Sequence, residues 1–458
     1  MTLVTTTPES LSHAQLRYIA QFADAYTART ARSGAARRAA WPFLADSRSS
    51  LGYSAKGPPE MRELWVATKR MRYPIVGQRC AGSRAWDVDG NEYIDFGLGF
   101  GVYLFGYNPD FIVEAMRRRI DAGMPMGLQS EVSRDIAERI ARMTGTERVT
   151  YCNTGAEAVM VALRLARAVT GRNKIVVFAG SYHGSSDATI PGLGMVLGVT
   201  PGAIQDTIVL PYGTDASLER IAELADQLAA VLVEPVQGRQ PWLQPAAFLK
   251  ELRRITAGHG TALIFDEVML GFRIHQGGCQ AHFDIKADLA TYGKVIGGGM
   301  PIGVVAGSAR FLDPIDGGAW RDTDDSLPEV EKIWYSGTFT KNPMTIACAQ
   351  AVVARLSQEG PALQERLNQR AETLVDRLSS WFREHHIPIS IARFGSMFRF
   401  TGPAPMTLLI PHLAMRGIYT AENMLFFVSV AHSDNDLLAL EEAVKDSLLT
   451  MRKGGYLA

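Results

Sequence analysis

The stretches TALIFDEVMLGFR (261–273) and DLATYGKVIGGGMPIGVVAG (288–307) decide the fold of this chain. Each begins with a short apolar run, which is typical of a strand buried on both faces. The first run ends on Asp266, and the second is followed by Lys294 and three consecutive glycines. An acid and an amine that each follow a buried strand predict a site at one edge of a sheet.

Further apolar runs alternate with helical stretches through the middle of the chain. The pattern predicts strands at 149–152, 174–180 and 229–236, and helices at 156–169 and 246–256. This alternation is typical of an α/β fold with a mostly parallel sheet that helices cover on both faces. Binding sites in such sheets gather beyond the carboxyl ends of the strands.

The flanking regions follow other patterns and predict further domains. Residues 1–50 indicate an N-terminal helical arm, and residues 51–110 an N-terminal segment of a small domain, with a hairpin at an Asp-Gly turn. Residues 111–355 are expected to form the large domain that holds the site. Residues 356–458, with a long helix, strands and a last helix, predict a smaller α+β C-terminal domain.

Composition and charge exclude several classes of function. The chain has 458 residues, and its 47 basic and 47 acidic side chains give a formal net charge of zero. A neutral chain has no global attraction to nucleic acid or to an anionic membrane. No apolar run reaches the roughly 18 residues that a membrane helix needs, and the N-terminus lacks the features of a secretory signal. With its four widely spaced cysteines, the chain is predicted to be cytoplasmic.

Lys294 is the first candidate for chemistry. A single lysine is usually a surface charge, but this one directly follows the apolar run of a predicted strand. Burial lowers the pKa of a lysine, and the neutral amine can then attack a carbonyl carbon to form a Schiff base. The glycines that follow let backbone and ligand approach each other closely.

Asp266 is the second candidate, because buried carboxylates rarely lack a partner. Its partner is either the backbone of the next turn or a cationic nitrogen of a ligand. A third feature is the Thr-Gly turn at Thr154, before a predicted helix. The start of a helix attracts anions such as phosphate, although Thr154 is also a suitable ordinary N-cap. Tyr182 follows another strand, and its ring either stacks on a planar ligand or belongs to the core.

The spacing of these residues is more specific than any one of them. Thr154 and Tyr182 are 28 residues apart, Glu234 and Asp266 are 32 apart, and Asp266 and Lys294 are 28 apart. Each interval fits one strand-helix-strand unit, so the groups fall at strand ends on the same side of one sheet. A phosphate cradle, a stacking ring, a carboxylate for a ring nitrogen and an amine for an aldehyde together predict a pyridoxal phosphate site.

The motifs IFDEVMLGFR (264–273) and YGKVIGGGMPIG (292–303) resemble those of class III, fold-type I, pyridoxal phosphate-dependent aminotransferases, and especially of glutamate-1-semialdehyde aminomutase. The resemblance runs from about Tyr73 to Met451. It implies that Lys294 bonds the cofactor aldehyde and that Asp266 holds the ring nitrogen. The other implied cofactor contacts are Thr154, Gly155 and Ala156 on the phosphate, Tyr182 stacked on the ring, Val268 packed against it, and Glu157, His183 and Glu234 close by.

The same resemblance implies partners and substrate contacts. Thr338 matches a residue that reaches the phosphate from a neighbouring subunit, which implies a homodimer with shared active sites. Arg79 matches an arginine that holds a substrate carboxylate, with an ordinary surface arginine as the alternative. The aminomutase has an acidic gate where this chain has an apolar stretch containing Met424 and Phe426, and this difference predicts room for an acyl chain.

Residues 44–53, 73–96 and 99–109 are similar to aminotransferase domains of hybrid polyketide and nonribosomal peptide synthetases. This similarity implies ping-pong transfer of an amino group from a donor amino acid to a keto or aldehyde carbon of an acyl substrate, with an acyl carrier protein as a further partner. The alternatives are a free β- or ω-amino acid aminotransferase and the aminomutase itself.

Other classes of site fit the sequence less well. His275, Cys279 and His282 have a spacing that suits zinc, but no fourth ligand lies nearby in the sequence, so no metal is predicted. The glycines after Lys294 match neither glycine-rich nucleotide-binding motif.

Overall fold

The computed structural model describes residues 11–46, 59–402, 406–420 and 424–457. The chain forms two compact units. The first comprises Met1–Phe100, Phe105–Pro109 and Gln369–Ala458, and the second comprises Gly101–Leu104 and Asp110–Asn368. The domain boundaries predicted at 50, 110 and 355 stay predictions.

Fourteen strands lie within the described ranges. In chain order they are β1 Gly77–Ala81, β2 Arg84–Asp87, β3 Glu92–Asp95, β4 Arg148–Cys152, β5 Lys174–Phe178, β6 Thr207–Leu210, β7 Leu228–Val233, β8 Ala262–Asp266, β9 Leu289–Tyr292, β10 Gly303–Gly307, β11 Ser390–Phe394, β12 Met397–Thr401, β13 Ile418–Tyr419 and β14 Leu425–Phe427. They form a seven-stranded sheet in the second unit and sheets of four and three strands in the first.

Helices connect these strands. The longer ones are His13–Arg29, Ala31–Ala40, Pro59–Thr68, Asp110–Asp121, Val132–Thr144, Gly155–Thr170, Asp215–Leu224, Ala246–His259, Gly278–Phe283, Pro343–Glu359, Ala362–Glu384, Leu409–Met415 and Asp434–Lys453. Short helical turns lie at Leu98–Gly101, Pro201–Ile204 and Ala309–Leu312, and 3₁₀ turns at Lys69–Met71, Ile190–Leu193, Ala225–Gln227, Lys294–Gly297, Asp313–Ile315 and Met406–Leu408. Within the described part of the chain, no helix combines the length and apolar character needed to cross a membrane.

The seven-stranded sheet has the order β4-β10-β9-β8-β7-β5-β6. The pairs from β9 to β6 are all parallel, and every residue of β7, β8 and β9 is buried. Both observations follow from continuous apolar runs that helices cover on each face. The predicted α/β fold with a mostly parallel sheet is confirmed.

Two strands of this sheet were not foreseen in their final form. β10 runs antiparallel to both β4 and β9. The turn between β9 and β10 contains only a short 3₁₀ segment, which is too short for a parallel crossover. β6 is a four-residue edge strand without a fully buried residue, so it lacks the apolar run that marks the others.

Helix Gly155–Thr170 fixes the start of the site, because its inner face belongs to the core of the second unit. Ala158, Ala162 and Ala166 are 0% exposed and have the small side chains that let a helix approach a sheet closely. The core also contains Leu163 and Leu165 of the same helix. Truncating either leucine to alanine would cost about 2–5 kcal/mol of unfolding free energy.

The first unit contains the predicted hairpin, in which β2 and β3 pair antiparallel around a turn where Gly90 adopts φ +87°. This positive φ explains the glycine at that position. The arm helix His13–Arg29 begins with a capping box at Ser12. Within the same unit, Tyr18 of this helix forms a hydrogen bond of 3.0 Å with His412 Nε2.

Candidate active site

The carboxyl ends of β4, β5, β7, β8 and β9 all lie at one edge of the seven-stranded sheet, since β10 reverses direction between β4 and β9. Each of these strands is followed, within a few positions, by a residue that the sequence had singled out. These residues are Thr154 after β4, Tyr182 and His183 after β5, Glu234 after β7, Asp266 at the end of β8 and Lys294 after β9. One sheet edge therefore collects the predicted groups.

Asp266 is buried and accepts three hydrogen bonds from its own chain. Its Oδ1 accepts from the Val268 amide at 3.1 Å and from the Thr291 hydroxyl at 3.0 Å. Its Oδ2 lies 2.7 Å from His183 Nδ1. The contact with Val268 matches the first alternative raised for Asp266, a partner in the backbone of the next turn. A cationic ligand nitrogen as its partner stays a prediction. Hydrogen-bond donors of this kind hold a buried carboxyl group in a defined orientation.

Glu234 is a second buried carboxyl group at this edge. Its Oε2 accepts a hydrogen bond of 3.0 Å from the Tyr182 amide. Burial, assisted by the charge of Asp266 and opposed by His183, Tyr182 and Lys294, raises the pKa of Glu234 to about 7. Glu234 can therefore gain or lose a proton near neutral pH.

Lys294 is the amine of the site and has an unusual backbone, with φ +32°. This conformation is strained for a residue with a side chain, and such strain is concentrated at functional sites. Burial lowers the pKa of Lys294, and Arg273 lowers it further, whereas the charges of Asp266 and Glu234 raise it. The burial effect prevails, so the neutral amine is more available than in a surface lysine.

Tyr182 and Val268 are the two predicted contacts to the cofactor ring. The Tyr182 side chain is 50% exposed, so its ring is not part of the core. Val268 packs against Gly155, where an added Cβ would lie 2.8 Å from a Val268 methyl group. The contact explains why residue 155 has no side chain.

The start of helix Gly155–Thr170 is the place where the sequence predicts an anion site, and that site stays a prediction. Thr154 is the N-cap, and its hydroxyl accepts from the Glu157 amide at 3.2 Å. The amides of Gly155 and Ala156 come before the first possible acceptor within the helix, so they remain available to a ligand. Gly184, at φ +88°, lies against this turn, because its added Cβ would be 2.4 Å from that of Ala156.

Three residues of the site were not singled out from the sequence. Thr291 lies opposite Asp266 in the β8–β9 register. Glu267 is fully buried and accepts from the amides of Cys279 and Gln280, at 2.5 and 3.1 Å, while burial raises its pKa to about 7. Arg273 is also fully buried and donates to the Gly101 carbonyl at 2.7 Å, and burial lowers its pKa to about 9.

Thr338 belongs to the second unit, and the three predicted substrate contacts Arg79, Met424 and Phe426 belong to the first. Thr338 is exposed in a turn, next to Gly337, whose added Cβ would lie 2.8 Å from Asn153 Nδ2. In the first unit, exposed Arg79 on β1 places its guanidinium 3.5 Å from the centroid of the Trp86 ring.

The other two, Met424 and Phe426, are buried in the first unit. Met424 adopts φ +61° and is 5% exposed. Phe426 is 0% exposed, and its ring centroid lies 5.1 Å from those of both Phe398 and Phe400. The substrate contacts assigned to Arg79, Met424 and Phe426 stay predictions.

The residues described in the structure contain no group of three or more His, Cys, Asp or Glu side chains able to hold a metal ion. His275, Cys279 and His282 therefore do not form such a group.

The donor set at the sheet edge fits pyridoxal phosphate. The helix amides suit the phosphate, Asp266 suits a protonated ring nitrogen, and Lys294 suits the aldehyde. The missing Cβ atoms of Gly155 and Gly184 let Val268 and Ala156 pack closely at the helix start. With this ligand the site could carry amino groups between substrates.

Known proteins are similar to this chain in sequence and in fold. The family model "Aminotransferase class-III" matches residues 66–430. Glutamate-1-semialdehyde 2,1-aminomutase 2 of Staphylococcus saprophyticus is 34% identical over 385 residues, which cover 78% of this chain and 87% of that protein. More than 800 further curated proteins and many solved structures match as well.

Two solved structures illustrate the match. A β-phenylalanine aminotransferase from Variovorax paradoxus superposes with a TM-score of 0.80 and 27% identity, over 96% of this chain and 98% of its own. A transaminase with bound pyridoxal phosphate gives a TM-score of 0.79 and 28% identity, over 93% and 99%. The predicted class III resemblance, enzyme class and cofactor are confirmed.

Proposed function

This chain belongs to the class III aminotransferase family, and we propose that it transfers an amino group from a donor amino acid to a keto or aldehyde carbon of an acyl substrate. The observation that carries the proposal is that Asp266, at the end of β8, and Lys294, which follows the paired strand β9, lie at the same edge of the sheet. Amino transfer through pyridoxal phosphate needs both an acid for the ring nitrogen and an amine for the aldehyde.

Bound pyridoxal phosphate supplies an aldehyde that accepts amino groups and a ring that withdraws electrons from the adjacent carbon. In our proposal Lys294 moves the proton at that carbon, because burial keeps part of its amine neutral. Asp266 would keep the ring nitrogen protonated, and Tyr182 would stack on the ring. The turn at Thr154 would hold the phosphate through helix amides. The same residues act in both half-reactions, so the cycle is ping-pong.

The proposed acceptor is an acyl carbonyl, including a β-ketoacyl thioester on an acyl carrier protein. Its support is the similarity of 44–53, 73–96 and 99–109 to synthetase aminotransferase domains. Further support is the apolar pair Met424 and Phe426, where the aminomutase carries an acid. An apolar wall favours an alkyl chain over a second charged group.

The proposal includes a homodimer with shared active sites, in which Thr338 contacts the phosphate held by the neighbouring subunit. Its support is a group of exposed apolar side chains around Thr338. Trp334 is 76% exposed, Phe339 64% and Leu327 77%. Large exposed apolar groups mark interaction surfaces.

Glutamate-1-semialdehyde aminomutase activity is a second candidate, favoured by the names of relatives that are 33–35% identical to this chain. An aminomutase moves the amino group within one substrate, so it needs neither a separate donor nor a separate acceptor. An aminotransferase needs both.

A half-reaction screen tests the two candidates. The purified enzyme with pyridoxal phosphate is mixed with single donor amino acids, and the absorbance of the cofactor is followed. The aminated enzyme is then mixed with free and carrier-bound β-ketoacyl substrates. We expect a donor to convert the spectrum and an acyl carbonyl to restore it. Isomerisation of glutamate-1-semialdehyde alone, with no discharge by any acyl carbonyl, would favour the aminomutase.

A further inference from the structure

Asp266 has more partners in its own chain than a simple counter-ion needs. A carboxylate offers about four acceptor positions on its two oxygens. Val268 and Thr291 occupy two on Oδ1, and His183 occupies one on Oδ2. The contacts of the described residues leave a single acceptor position, which is on Oδ2.

The donor atom of His183 follows from the same geometry. A carboxylate can only accept, so Nδ1 of His183 donates the hydrogen bond to Asp266 Oδ2. Nε2 is buried and has no hydrogen-bond partner among the described residues.

Thr291 holds the other oxygen from a neighbouring strand. It is fully buried, pairs with Asp266 in the β8–β9 register, and directs its hydroxyl at Oδ1. Rotation of the carboxylate would break this bond and the bond to His183 together. The two side chains thus fix both the plane of the carboxylate and its free position.

We propose that His183 and Thr291 are positioning residues that orient Asp266 so that only one acceptor position, on Oδ2, receives the ring nitrogen of pyridoxal phosphate. They act through Asp266 and touch no substrate. The inference rests on the cofactor and is independent of which acyl or amino acid substrate the enzyme uses.

Two matched pairs of variants separate orientation from general packing. Thr291→Val removes the hydroxyl and keeps the shape, whereas Thr291→Ser keeps the hydroxyl. His183→Leu removes the donor, whereas His183→Asn keeps an N–H group near the position of Nδ1. Apoenzyme of each variant is titrated with pyridoxal phosphate and with an analogue that has C–H in place of the ring nitrogen.

We expect Thr291→Val and His183→Leu to weaken binding of pyridoxal phosphate about 10-fold or more, as for the loss of a hydrogen bond to a charged group. Thr291→Ser and His183→Asn should stay within about 3-fold of the original enzyme. With the analogue, all four variants should bind alike, because the bond that Asp266 makes is already missing.

A second readout is the absorbance of the bound cofactor as a function of pH, which reports whether the ring nitrogen is protonated. Glu234, Glu267 and Lys294 are the other titratable groups around Asp266, and they are unchanged in every variant. Only in Thr291→Val and His183→Leu should the ring nitrogen lose its proton at a lower pH than in the original enzyme. If His183→Leu fails to fold, the Thr291 pair decides alone.

Equal weakening with pyridoxal phosphate and with the analogue would overturn the proposal, because the two residues would then serve packing only. Unchanged binding and an unchanged spectrum in Thr291→Val would overturn it as well.

Discussion

The carboxyl-edge cluster, formed by His183, Glu234, Asp266, Thr291 and Lys294, contrasts with the aromatic segment 318–341. The cluster is largely buried, and its acids have partners in the same chain. The aromatic segment exposes large apolar side chains, among them Trp334. The contrast separates side chains that contact one another within the chain from an exposed surface that the proposed homodimer would cover.

The largest expected effect comes from removing the amine of the cluster. Lys294→Ala should lower turnover about 10⁴-fold, because the variant lacks both the nucleophile and the base. Borohydride should fix pyridoxal phosphate to the original enzyme and not to the variant. Lys174→Ala, which removes a half-buried lysine that donates a hydrogen bond to Gln227, is the control and should keep full turnover. Normal turnover of Lys294→Ala would refute its role.

The second prediction concerns the effect of the buried Glu234 carboxyl group on how protein stability depends on pH. Its pKa is raised from 4.5 to about 7, so the folded apoprotein keeps a proton that the unfolded chain releases in this window. The contribution of Glu234 to stability is therefore present below pH 4.5 and is lost as pH rises through about 7. Between these limits the free energy of unfolding should fall by roughly 3 kcal/mol because of this group.

Glu234→Gln should remove this part of the decrease in unfolding free energy. Urea unfolding of the apoprotein at several pH values measures the change. Glu219→Gln changes an exposed glutamate and serves as the control. An identical pH dependence in Glu234→Gln and the original protein would show that this acid ionises normally in the fold.

The third prediction tests the aromatic segment. Trp334→Asp and Phe339→Asp should raise the dissociation constant of the proposed homodimer roughly 30-fold or more, because a charge would replace a buried aromatic contact. Sedimentation equilibrium measures the change. Leu197→Asp is a matched control, since Leu197 is also fully exposed but lies outside the segment. An equal increase of the dissociation constant in Leu197→Asp would show that the aromatic segment is not specifically required for the homodimer.

The smallest expected effect concerns Arg79, which is exposed like the aromatic segment but already stacks on Trp86. Arg79→Ala should raise KM about 5- to 10-fold for substrates with a free carboxylate, through loss of an exposed charged contact. The KM for a thioester acceptor should change little. A similar increase for both substrates would contradict a carboxylate clamp, and Arg79→Lys shows how much charge alone contributes.

The sequence predicted most of the sheet and the residues at its edge, because apolar runs that end in polar residues mark buried strands. It did not reveal Thr291, since one hydroxyl in the strand LATY gains meaning only from its register opposite Asp266. The contact between His183 and Asp266 joins residues 83 positions apart and depends on the order of the strands. The direction of β10 was also hidden, because pattern alone does not distinguish parallel from antiparallel pairing.

The reversed strand β10 has a practical consequence for handling the enzyme. It enters the sheet at Gly303, where an added Cβ would lie 2.0 Å from the Thr154 carbonyl oxygen, and leaves at Gly307 on the opposite edge. The turn that follows, at Ala309–Leu312, is thus a full strand length from the reacting atoms. A fluorescent dye or a solid support attached at position 310, within this turn, should not affect the proposed amino transfer.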